Sequence, residues 1–146
     1  MSGDEPSNSE SMFANVHSFM GVPVSRDVEN ADLVVMGIPY DLGTTGRAGT
    51  RHGPQAVRLA SANLRWEMRE NRHPWGYSAF ERLKVLDFGD LEFPPGESED
   101  MVNRVIDNVE SIHALGKKTL CIGGDHFITL PPVSYTHLTL PTKRIV

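Results

Sequence analysis

A single cysteine, Cys121, excludes an internal disulfide, and its apolar neighbours read as a buried, inert thiol of a reducing compartment. No stretch reaches the ~20 apolar residues of a membrane span, and the N-terminus has no basic region followed by an apolar run. The expectation is a soluble, cytoplasmic chain with no membrane partner. Lysine and arginine nowhere cluster, and the formal net charge is -5, so nothing favours a polyanion and nucleic-acid binding is disfavoured. What is present is 146 residues, 39% of them hydrophobic, enough for the core of one globular domain.

Residues 1–30 read as a polar, acidic tail followed by an arm, Met12–Pro23, that packs on the domain or on a neighbour. Leu33–Ile38 is a short apolar run rich in β-branched residues with no polar alternation, as expected of a strand covered on both faces, and Pro39 ends it. Asp41–Gly53 is glycine-rich and reads as a long loop. Gly53 and Pro54 then open a helix, on which Val57, Ala60, Ser61 and Leu64 share one face. Lys84–Phe88 is a second strand, ended by Gly89. Ser98 is placed to cap a second helix, with Glu99 and Asp100 in its first turn. Along that helix Val102, Val105, Ile106, Val109 and Ile112 recur at three- and four-residue spacing, and Gly116 stops it. Thr119–Ile122 reads as a third buried strand. Strands alternating with helices predict an α/β sandwich, helix layers on both sides of a mostly parallel sheet.

Ligands of such sheets bind beyond the carboxyl ends of the strands. Gly123-Gly124-Asp125-His126 leaves the third strand there, and paired glycines let the backbone turn sharply and admit a group close to the main chain. A neutral imidazole at His126 can bind a metal, with Asp125 orienting it or its surroundings; a purely structural turn is the other reading of the same tetrapeptide. Arg47, Arg51 and His52 are candidates for a substrate rim, against loop-internal hydrogen bonding. Asp41, Asp87 and Asp90 read as loop and turn formers that bond local amides. His113 reads as packed at the edge of its helix, and Trp66 and Trp75 as packing or interface groups. Gly43, Gly46 and Gly49 are followed by no Lys-Ser or Lys-Thr pair, which excludes a phosphate loop, and Gly37-Ile-Pro-Tyr-Asp41 is not a dinucleotide fingerprint.

The strings Gly37–Asp41, Gly46–Pro54, Asn63–Glu67, His73–Trp75, Asp87–Leu91 and Ile122–Pro131 together resemble the N-terminal half of agmatinases, of the ureohydrolase family that also holds arginase, guanidinobutyrase and formimidoylglutamase. The resemblance covers residues 31–131. It implies an arginase-like three-layer fold and hydrolysis of a guanidinium group by hydroxide held between two Mn2+ ions. For agmatine the products are urea and putrescine, a step of polyamine biosynthesis. It further implies a homo-oligomer and assigns His126 as one metal ligand. A guanidinium carbon is a poor electrophile, so metal activation of water suits the task. The remaining ligands of the family lie in later aspartate-rich motifs, and Phe127–Val146 contains neither Asp nor Glu. The resemblance breaks at Pro132, and Val133–Thr142 looks like a translated transposon-end sequencing adapter. The expectation is therefore an incomplete, inactive chain whose residues 132–146 are an artefactual tail, in which His137 has no role.

Overall fold

The computed structural model describes residues 17–70, 76–77 and 79–133. His73, Trp75, His137 and most of the tail expected at 132–146 lie outside them, as does the side chain of Trp66. Strand β1, Leu33–Ile38, forms where the apolar run predicts, and Val34, Val35, Met36 and Ile38 are completely buried. Burial on both faces follows from its place as the middle strand of a parallel sheet ordered β2-β1-β3, with β2 at Val85–Asp90 and β3 at Lys118–Gly123.

Helix α1, Gly53–Glu70, connects β1 to β2, and helix α2, Ser98–Ala114, connects β2 to β3. The two connections leave toward opposite sides of β1, so right-handed crossovers place the helices on opposite faces of the sheet. Packing agrees. Val34, Met36 and Ile38 share a core with Met101, Val105, Val109 and Ile112 of α2. Gly37, on the other face, lies so close to α1 that an added Cβ would sit 3.0 Å from Pro54 Cβ.

Several sequence expectations need correction. Among the described side chains of α1 the buried positions are Pro54, Arg58 and Ser61, whereas Val57, Ala60 and Leu64 are exposed. The inward stripe is polar because it meets carboxylates of β2, described below. Gly89 does not end β2: the strand runs to Asp90, and Gly89, at φ +80°, sits beside a register shift in which Val35 pairs with Asp87 but Met36 with Gly89. This is a bulge, one residue longer on β2 than on β1. Ser98 does not cap α2. It is the first helical residue, and its hydroxyl shares a hydrogen bond with that of Tyr40. Nor is β3 fully buried. It is an edge strand, with Leu120 40% exposed and no partner along its outer side among the described residues. Unpaired apolar edges template association. Leu120→Lys is accordingly expected to reduce concentration-dependent self-association, read by light scattering over a dilution series; an unchanged profile would show that the edge takes no part.

The opposite edge, at β2, is partly covered. Residues 22–25 run alongside it, the Asp87 amide donating to the Pro23 carbonyl at 2.9 Å and the Ser25 amide to the Asp87 carbonyl at 3.1 Å. Just before, the short 3-10 turn Phe19–Gly21 is tied to α1 by the Met20 amide, which donates to Ser61 Oγ at 2.8 Å. No described helix is long and apolar enough to cross a membrane.

Candidate functional site

At the carboxyl end of β3 the chain turns through Gly123 and Gly124 into the 3-10 turn His126–Thr129. The space beside the two glycines is taken by the protein itself: an added Cβ on Gly123 would meet Ile128 Cδ1 at 1.8 Å, and one on Gly124 the Tyr40 carbonyl oxygen at 1.8 Å. The backbone at Tyr40, just after β1, thus crowds Gly124, the turn's own Ile128 side chain crowds Gly123, and neither glycine has a positive φ. The Asp125 amide donates to the Tyr40 carbonyl at 2.9 Å, and the Tyr40 ring stands 5.8 Å from that of Phe127. His126 is left exposed between these anchors.

Asp125 is buried, but its carboxylate does not reach toward the imidazole. Oδ1 accepts from the Phe127 amide at 2.9 Å, capping the turn, and Oδ2 accepts from the Gly43 amide at 2.6 Å. It therefore binds the loop after β1 to the turn that carries His126. Hydrogen bonds to an ionised group contribute about 1.5–3 kcal/mol each. Asp125→Ala is expected to cost the sum of two such bonds, and Asp125→Asn less, because one amide oxygen still accepts. Hydrogen-exchange protection of the Gly43 and Phe127 amides checks this, both falling together in the alanine variant.

The loop after β1 is organised by a second carboxylate. Asp41 Oδ2 accepts from the Gly49 amide at 2.7 Å and from Arg51 Nη1 at 2.9 Å. The Gly49 amide chiefly, with help from Arg51, holds the Asp41 carboxyl below its ordinary range against a burial that pushes the other way. Arg51 thus makes the loop-internal bond set beside its rim reading. Arg47 and His52 are exposed, His52 ending the short turn Thr50–His52 that leads into α1.

The most buried polar cluster lies under α1. Arg58, 7% exposed, donates from Nε and Nη2 to the two carboxylate oxygens of Asp87 at 2.8 and 2.9 Å, and from Nη1 to Asp90. Asp87 is fully buried and also accepts from the amides of Phe19 at 2.8 Å and Gly89 at 2.9 Å. Burial pushes the Asp87 carboxyl up, yet the guanidinium and the two amides outweigh it and hold the group below its usual value; the carboxylates in turn raise Arg58. In a regular strand residues 87 and 90 would point to opposite faces, and the bulge between them re-aims Asp90 to the side of Asp87. Local amides do bond Asp41 and Asp87, as the sequence suggests. Arg58 was not legible as the partner of Asp87 and Asp90, although Pro54, Arg58 and Ser61 fall at the i, i+4, i+7 spacing of one helix face. His113 packs at the edge of α2, its Nε2 3.2 Å from Thr119 Oγ1, and burial pushes the Cys121 thiol up, as for an unreactive cysteine.

The donor set can be weighed against a metal centre. Among the described residues no three His, Cys, Asp or Glu side chains come together to hold an ion. His126 is available, Asp125 is engaged with two amides, and Asp41, Asp87 and Asp90 are held in ion pairs. One imidazole does not hold a pair of metals, so these residues alone do not fit a dinuclear manganese site.

Parallel strands with helices on both faces and an exposed histidine in a glycine turn at one strand end define a layered α/β protein of the open-sheet type. Residues 31–145 match the arginase family, and the chain belongs to it. It is 45% identical to the agmatinase of Proteus mirabilis over 131 residues, covering 88% of this chain and 42% of that protein. Among solved structures it is similar to a hypothetical agmatinase from Burkholderia thailandensis, with TM-score 0.78 and 37% identity over 88% of this chain and 40% of that one. It also resembles a Trypanosoma cruzi formiminoglutamase solved with Mn2+, with TM-score 0.65 and 26% identity over 80% of this chain and 40% of the other. The chain spans about 42% of the length of the Proteus mirabilis relative it matches.

Proposed function

We propose that this chain is the N-terminal portion of an agmatinase, a manganese-dependent ureohydrolase that converts agmatine to putrescine and urea in the cytoplasm, as a homo-oligomer. The observation that supports this reading is the exposed His126 at the carboxyl end of β3, in a chain 45% identical to a bacterial agmatinase. Bound metal would supply the activated water. This chain's own part is narrower. His126 offers one ligand, and Asp125 fixes the turn beneath it without touching the ring. Asp41 orders the loop that carries Arg47, Arg51 and His52 at the rim, where Arg51 acts through its bond to Asp41. Carboxylates beyond this chain would complete the metal site.

Guanidinobutyrase or arginase is the alternative substrate assignment, and the experiment separates the three. The source DNA is reread with adapter trimming and the extended protein is assayed with Mn2+ on agmatine, 4-guanidinobutyrate and arginine side by side. Preference for agmatine supports the proposal, and preference for either other substrate replaces it. A coding sequence that continues naturally through residues 132–146 would remove the reading of that segment as foreign.

A further inference from the structure

A cavity of about 840 Å³ opens on the α1 side of β2 and takes none of its lining from the turn that carries His126. Its base is the Arg58–Asp87–Asp90 cluster: two carboxylates against one guanidinium, leaving one formal negative charge. Asp87 is buried and fully bonded, but the Asp90 side chain remains 40% exposed. Gln55 and His52 add polar groups, and Val24, Ala56 and Leu59 form an apolar wall. An anion would find only the neutral donors of Gln55 and the histidines, because the one guanidinium of the lining, Arg58, is committed to both carboxylates. A bare metal ion is disfavoured, since among the described residues no His, Cys, Asp and Glu group is arranged to ligate one. The combination suits a small cation that carries its own hydrocarbon: charge beside Asp90, methylenes along Leu59 and Val24.

We propose that this cavity binds a primary alkylammonium group, through Asp90 and Gln55 for the ammonium and the apolar wall for the chain. The site is independent of metal and of the role given to His126. The test titrates the full chain, dilute and in EDTA, with n-butylammonium, n-butyrate and n-butanol, followed by amide shifts in two-dimensional NMR. Saturable binding of n-butylammonium alone is expected, with shifts at Gln55, Leu59 and Asp90. Leu59 is 55% exposed, so Leu59→Arg leaves packing intact while putting a cation into the mouth, and it should weaken binding about tenfold or more. Asp90→Asn should weaken it also, but it disturbs Arg58, so the arginine variant decides. Absence of saturable shifts, equal binding of butyrate or butanol, or full affinity in Leu59→Arg would overturn the assignment.

Discussion

Replacing Arg58 with alanine is expected to cost about 3–5 kcal/mol of folding stability, because it strands a fully buried carboxylate without its counter-ion. Against the 5–15 kcal/mol typical of a whole domain, such a loss removes between about a fifth and all of the margin. Arg58→Lys should not restore the wild type, since an ammonium lacks the planar fork that meets both oxygens of Asp87 and reaches Asp90 as well. Pairing Arg58→Leu with Asp87→Leu should be milder than Arg58→Ala, since it removes both charges together. Urea midpoints of the four proteins give the order directly, and an Arg58→Ala protein as stable as the wild type would remove the cluster from any structural role. The same cluster sets an acid limit. The Asp87 carboxyl is held below its ordinary value, so its contribution is present above the unfolded-state value of about 4 and is lost as pH falls through the lower folded value. The wild type should therefore lose stability below about pH 4. In Arg58→Ala the carboxyl loses its main stabilising partner while its burial remains, so protonation relieves a stranded charge and the acid loss should shrink or reverse.

The second large effect concerns activity. The purified 146-residue chain, supplied with Mn2+ and agmatine, is expected to release no urea above the uncatalysed background. The physical reason is ligand number: a pair of metals needs several carboxylates, and Asp41, Asp87, Asp90 and Asp125 near the strand ends are held by arginines and backbone amides. A colorimetric urea assay with agmatine suffices. Turnover abolished by His126→Ala would show that this chain assembles a working centre by itself, and the reading of it as catalytically silent would be withdrawn.

Much of this architecture was legible because hydrophobic pattern and burial agree in the middle of the sheet. β1 is apolar at every position since helices cover both its faces, and Val105, Val109 and Ile112 of the α2 stripe fall inside, joined by Met101, while Val102 and Ile106 are only half-buried. Pattern failed on α1, where the inward face holds Arg58 and Ser61 and the apolar Val57, Ala60 and Leu64 look outward. A reading that sends hydrophobic residues inward has no way to see an ion pair formed with a strand 29 residues away. It failed again at β3, whose run of apolar residues resembles a covered strand although the edge is open. At the candidate site, His126 and its strand-end position were legible from the glycines before it. The partners of Asp125 were not, because Gly43 lies 82 residues upstream and nothing local announces the contact.

The extra residue in β2 ties chain length to charge placement. Were the bulge flattened with Phe88 still in the strand, Asp90 would swing across the sheet into the greasy layer beneath α2, and Arg58 would keep only one of its two acids. Gly89, at φ +80° within that kink, is therefore the position least open to drift, and a β-branched residue there should cost more than an aliphatic exchange at Phe88.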